Sequence, residues 1–146
     1  MSVAFGLADR FRSLAGTLWI TYLCVALGAA IGGSARYAIS GFVANWFGAT
    51  FPWGTLIINI TGSFVIGIFN TLTAPDGILL VPTNFRIFVM VGICGGYTTF
   101  SSFSLESLNL VRNGELMSAG SYIMASVLCC LIGVWLGHIT ALGLNR

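Results

Sequence analysis

This chain has no lysine, one histidine, three prolines and only 7% charged residues in its 146. Its six basic residues are all arginine (Arg10, Arg12, Arg36, Arg86, Arg112, Arg146), and they form no run. A nucleic-acid backbone therefore has no basic patch to follow, and nucleic acid is not expected as a partner. No nucleophile–base pair, carboxylate pair, ligand-spaced metal cluster or phosphate-cradling loop is present, so the chain does not read as an enzyme. There is no low-complexity tract and no polar stretch long enough to be a linker or tail. What remains is apolar. The chain is 57% hydrophobic, with mean hydropathy +0.96, a composition that belongs in a membrane.

A helix crosses the hydrocarbon core with about 20 mostly apolar residues. Four stretches meet that length, at 18–43, 53–73, 85–108 and 118–142. The fold class is thus an all-α membrane protein with four transmembrane helices, residues 1–17 forming an N-terminal extension and 18–146 one domain. The start of the chain imitates a secretory signal, with Arg10 and Arg12 before an apolar run. That run, Leu14 to Ile31, is longer than a typical signal core, and it is read as the first helix. With four spans, Arg10, Arg12, Arg86 and Arg146 fall on one side and Arg36 and Arg112 on the other. This is a weak orienting bias, and a chain that inserts both ways up can pair with its own copy.

Small residues recur four apart at Gly28/Gly32, Gly92/Gly96 and Gly133/Gly137. In lipid such pairs let helix backbones come close, within the chain or between copies. The four cysteines (Cys24, Cys94, Cys129, Cys130) lie in apolar segments without metal-finger spacing, and read as small buried hydrophobes.

The densest polar feature is Gly95-Gly-Tyr-Thr98-Thr99-Phe100-Ser101-Ser-Phe103-Ser104-Leu-Glu106. Two glycines followed by two β-branched threonines favour a break in the third helix near Gly95-Gly96. Backbone freed at membrane depth must be covered by protein or line a polar path. Freed carbonyls suit a hard cation, freed amides suit an anion, and a packing kink needs neither. Phe100 and Phe103, three apart, share a helix face; they either pack or present positive ring edges to an anion. Asn59 sits inside an apolar run, as an interhelical glue or as a donor to a permeant ion. Arg36 reads as a snorkelling interfacial anchor beside Tyr37 or as a structural cation near a water-filled vestibule. Glu106 reads as an interfacial acid paired with an arginine such as Arg112, or as an intramembrane functional carboxylate. Tyr122, Ser126 and Cys130 follow at four-residue spacing on one face of the last helix, a possible polar track that ends at Val134. His138, near the far interface, is read as a bystander, without a metal or proton-relay role.

Gly32-Gly33-Ser-Ala-Arg36-Tyr37, Trp53-Gly54-Thr55-Leu-Ile-Ile-Asn59 and the Gly95–Glu106 motif together resemble the Fluc (CrcB) fluoride channels, and the resemblance runs from residue 18 to the end. It implies a passive fluoride-selective channel in the bacterial plasma (inner) membrane, built as a dual-topology antiparallel homodimer with two pores, that exports fluoride to relieve its toxicity. It implies that Phe100, Phe103, Asn59, Thr99, Ser101, Ser104, Tyr122 and Ser126 line the fluoride path. It implies a structural sodium ion at the dimer axis, held by the main-chain carbonyls of Gly95 and Thr98 from both copies. It gives Arg36 and Glu106 a pore-end or structural role. One departure stands out: the family's last-helix track often reads Tyr-Ser-Ser-Thr, and here Cys130 and Val134 fill its second half. A small multidrug-type proton-coupled exporter is the first rival, but it needs a carboxylate in the first helix. A non-transporting structural membrane protein is the second, with the hydroxyls and phenylalanines merely packing.

Overall fold

In the computed structural model, backbone is described for residues 2–48 and 50–145, and side chains for 16, 18–48 and 50–145. The side chains of Arg10, Arg12 and Arg146, which weighed in the orientation count, lie outside the described residues, as do those of most of the N-terminal extension.

The described residues are helical throughout, apart from short connections. The elements are α1 (Ser2–Phe47), α2 (Trp53–Leu72), α3 (Thr83–Ile87), a π-helical stretch (Phe88–Cys94), α4 (Gly95–Tyr97), α5 (Phe100–Arg112) and α6 (Leu116–Leu144). Among the described residues, four helical runs are long and apolar enough to cross a membrane: Leu18–Phe47, Trp53–Leu72, Thr83–Arg112 and Leu116–Leu144. They coincide with the four hydropathy runs, and the chain is a multi-pass membrane protein. The 30-residue first span is about 45 Å long at 1.5 Å per residue, more than the roughly 30 Å hydrocarbon core, so it must tilt or project.

Glycine dictates which helices meet. A Cβ on Gly28 would lie 2.5 Å from the Phe88 carbonyl oxygen and 2.7 Å from Gly92 Cα, and one on Gly96 would lie 2.8 Å from Ala29 Cα. The small-residue stripe of α1 is thus locked into that of the third span, backbone on backbone. Gly133 and Gly137 of α6 similarly face Ile60 and Phe64 of α2, and Gly67 of α2 faces Val134. All three glycine patterns therefore find partners within the chain. With no hydrophobic effect between helices in lipid, such close approach supplies the dispersion contact that holds the bundle.

The turn between α5 and α6 is set by Gly114 at φ +82°. Its N–H bonds Val111 O at 3.0 Å and the Glu115 N–H bonds Leu110 O at 2.9 Å, a Schellman cap that only glycine adopts without cost. It folds α6 back so that Tyr122 packs under α5.

Candidate functional site

The third span does not run as one regular helix. Phe88–Cys94 is wound wide, with the Gly95 N–H reaching back to the Met90 carbonyl. Gly95 is itself helical, at φ −66° and ψ −35°. Backbone leaves the helical region at Thr98 (φ −76°, ψ 158°) and Thr99 (φ −152°, ψ 115°). Gly96 serves close packing against α1, with a Cβ there 2.8 Å from Ala29 Cα, while Gly95 is exposed; the extended residues lie just beyond the two glycines.

Two side chains satisfy the backbone exposed there. Thr99 Oγ1 accepts from the Ser102 N–H at 3.2 Å, as an N-cap for α5. Asn59, forty positions earlier on α2, donates from Nδ2 to Thr99 O at 3.1 Å and accepts from the Thr99 N–H at 2.8 Å. One amide thus replaces both missing helical partners of Thr99. A buried backbone group left without a partner costs about 1–3 kcal/mol, so the pair anchors the extended residues to α2.

Beside this junction lies an open cavity of about 430 Å³. Asn59, Gly62, Ser63, Thr98, Thr99 and Ser126 supply its polar wall, and Phe100, Phe103, Met90 and Cys130 are among its apolar and sulfur-bearing residues. Among the described residues, no Asp, Glu, Lys, Arg or His lines it. Ser126 is 95% buried, at 5% exposure, and its Oγ has no hydrogen-bond partner among the described residues. Tyr122, one turn earlier on α6, donates its hydroxyl to Glu106 instead.

The sequence-predicted residues divide as follows. Asn59, Gly95, Thr98, Thr99, Phe100, Phe103 and Ser126 share the cavity wall. Ser101 and Ser104 do not line it: Ser101 Oγ is 3.2 Å from Thr99 Oγ1, and Ser104 donates to Phe100 O. Tyr122 is fully buried beneath Phe103, ring centroids 5.4 Å apart, and Phe51, at 5.5 Å edge-on. Phe100 is 78% exposed on the bundle surface, 5.3 Å from Phe103. Arg36 is half-buried on α1, with no hydrogen bond or ion pair among the described residues.

Glu106 does not pair with Arg112. Thr55 Oγ1 donates to its Oε1 at 2.8 Å and the Tyr122 hydroxyl to its Oε2 at 2.7 Å. Two neutral donors from α2 and α6 thus hold the carboxylate where spacing along one helix pointed to an arginine. Glu106 lines a second cavity of about 360 Å³ with Ser40, Thr55, Asn109, Asn113 and Glu115. Phe103, Tyr122 and Glu106 therefore form a continuous contact line from the first cavity to the second. Thr55 was visible only as part of a motif; its hydrogen bond to Glu106, 51 residues away, is a fact of the fold. His138 likewise has a partner: its Nδ1 lies 2.8 Å from Thr71 Oγ1.

A family profile described as "CrcB-like protein, Camphor Resistance (CrcB)" matches residues 23–138. The chain is 57% identical over 124 residues to a protein of Opitutus terrae named "Fluoride-specific ion channel FluC", covering 85% of this chain and 94% of that one. It is 53% identical over 125 residues to a protein of the same name from Methylocella silvestris, covering 86% and 95%. It is 47% identical over 139 residues to "Fluoride-specific ion channel FluC 1" of Bradyrhizobium diazoefficiens, covering 95% and 93%.

Proposed function

This chain belongs to the CrcB family, and on that premise we propose that it is a fluoride-selective channel, not an enzyme, passing fluoride down its gradient out of the cell. Hydrogen fluoride crosses lipid as a neutral weak acid, ionises in a near-neutral interior and is trapped there as the anion. A passive path suffices to release it.

One observation carries the reading: among the described residues, the Ser126 hydroxyl is buried without a partner and belongs to the lining of a cavity that holds no charged side chain. A buried unsatisfied hydroxyl costs about 1–3 kcal/mol, and a small anion removes that cost by accepting a hydrogen bond from it. The neutrality of the wall fits conduction, because an ion must bind well enough to enter and weakly enough to leave. Phe100 and Phe103 offer ring edges of positive potential beside Asn59 and Thr99. The line Phe103–Tyr122–Glu106 supports a route onward to the second cavity, with Glu106 at its end held by Thr55 and Tyr122. Ser101 and Ser104 belong to this route on the strength of the family resemblance, and Arg36 is a cation available near a pore mouth.

The working unit in this reading is an antiparallel, dual-topology homodimer in the bacterial inner membrane, with the third helix broken between Tyr97 and Phe100. Phe100 and Gly95 are exposed in the single chain, which supports a second copy covering that face. A sodium ion at the shared axis would be held by the Gly95 and Thr98 carbonyls of both copies. Thr98 departs from helical geometry directly after α4, so this stretch can offer main-chain oxygen, the donor a hard cation takes. The ion would supply a fixed charge that ties the two copies together.

The test is reconstitution in liposomes. Fluoride efflux without a proton gradient, in excess of chloride efflux, supports the channel. Dependence on a proton gradient would point to the coupled exporter, and absence of flux to a structural protein.

A further inference from the structure

Two stripes of residues meet in register along the seam between α2 and α6. On α2, Thr55, Asn59, Ser63, Gly67 and Thr71 follow at four-residue spacing, each polar or glycine in a mostly apolar helix. On α6, Tyr122, Ser126, Cys130, Val134 and His138 keep the same spacing. Thr55 and Tyr122 both bond Glu106, and Asn59 and Ser126 share the wall of the 430 Å³ cavity. A Cβ on Gly67 would strike the Val134 carbonyl oxygen, and Thr71 Oγ1 lies 2.8 Å from His138 Nδ1. Ser63 and Cys130 occupy the level between these pairs. Both are half-buried and line the cavity, and the Ser63 hydroxyl is the hydrogen-bonding neighbour of the Cys130 thiol. A Cβ on Gly133 would lie 3.7 Å from Ser63 Cβ, which sets Ser63 against α6.

The hydroxyls of Thr61 and Thr71, on the same helix, donate to carbonyls one turn back, Ile57 O at 2.8 Å and Gly67 O at 2.9 Å. Among the described residues Ser63 makes no such bond; its partner is the sulfur of Cys130, a weak acceptor. An anion is a far better one, since a hydrogen bond to an ionised acceptor is roughly twice as strong as a neutral one. Past Ser126, α6 offers only that thiol and then Val134, so the next hydroxyl comes from α2. Beyond Ser63 the two helices touch at Gly67 and Val134, and the seam has no room for an ion.

We propose that Ser63 is a further fluoride-binding residue, the hydroxyl donor at the level where α6 presents Cys130 and the last before the seam closes. The proposal rests on reading this cavity as the fluoride path. Ser63 and Cys130 lie on α2 and α6, apart from Phe100 and Gly95, the exposed residues given to a second copy.

The test is fluoride efflux from liposomes holding the full chain, with thermal unfolding of the same preparations and dithiothreitol throughout. Ser63→Ala is expected to slow efflux about ten- to a hundredfold, the reach of one hydrogen bond to a charged acceptor. Its unfolding midpoint should stay at the wild-type value, because only a sulfur partner is lost. Ser63→Ala/Cys130→Ser returns a hydroxyl to the same level from the facing helix and is expected to recover most of the flux, which a packing role for Ser63 would not allow. If Ser63→Ala does not fold, Ser63→Cys carries the same expected loss and the same rescue. Efflux in the variant as fast as in a conducting wild type, or a loss that Cys130→Ser does not restore, overturns the proposal and leaves the channel reading standing. A wild type that carries no fluoride overturns the channel reading, and this assignment with it.

Discussion

Asn59 and Thr99 exchange two hydrogen bonds across forty residues, Nδ2 to the Thr99 carbonyl at 3.1 Å and the Thr99 N–H to Oδ1 at 2.8 Å. The pair ties α2 to the two extended residues of the third span and sets Asn59 on the wall of the uncharged cavity.

Asn59→Ala is expected to strand both Thr99 backbone groups and to lower thermal stability in detergent by about 1–3 kcal/mol, with fluoride flux lost. Asn59→Asp keeps the acceptor for the Thr99 N–H but loses the donor and adds a negative charge beside the anion path. Its flux should fall further than its stability. Unfolding curves and liposome flux on the same preparations separate the two effects.

Ser126→Ala is expected to move stability and flux in opposite directions. Removing a buried hydroxyl without a partner relieves an unsatisfied group, so the variant should be as stable as wild type or more stable by up to about 1 kcal/mol. Fluoride flux should drop. If Ser126 played no part in the ion path, its removal would leave flux unchanged.

Glu106→Gln retains one acceptor oxygen for two hydroxyl donors, Thr55 and Tyr122. The amide nitrogen must then face one donor, and stability should fall by about 1–3 kcal/mol. Tyr122→Phe deletes one donor and leaves Glu106 bonded to Thr55. The double variant should therefore lose less than the sum of the two singles, because both remove the same hydrogen bond. A thermal-shift double-mutant cycle reads this coupling.

Gly32→Ala places a methyl group against the Ile93 carbonyl and 2.8 Å from Tyr97 N. Both contacts are backbone, and neither can move cheaply. The variant should fail to yield a monodisperse protein on size-exclusion chromatography. Gly120→Ala meets nothing within 4 Å and should be neutral or stabilising by about 0.5–1 kcal/mol.

The spans were legible because hydropathy over about 20 residues is a property of the local chain. The glycine stripes were legible as contact surfaces, but their partners were not: Gly28 meeting Gly92 is a fact of tertiary packing. The irregular backbone was expected near Gly95-Gly96 from the glycines and the two β-branched threonines after them, and the extended residues are those threonines, Thr98 and Thr99. A side chain from α2 supplies their hydrogen bonds, and no local signal carries that. Glu106 was read either as paired with Arg112 or another arginine or as an intramembrane carboxylate, whereas the partners it has, Thr55 and Tyr122, are 51 and 16 residues away in sequence. Motif resemblance brought Asn59, Phe100, Phe103 and Ser126 into one list. Only the fold separates the cavity-lining residues from Ser101, Ser104 and Tyr122, which lie beside it.

The most direct measurement is anion efflux from liposomes holding the purified chain, with fluoride and chloride recorded in parallel and no proton gradient imposed. The account predicts fluoride efflux far faster than chloride efflux in the wild type, abolished in Phe103→Ile. Equal leakage of the two halides, or fluoride efflux that Phe103→Ile leaves unchanged, would contradict it.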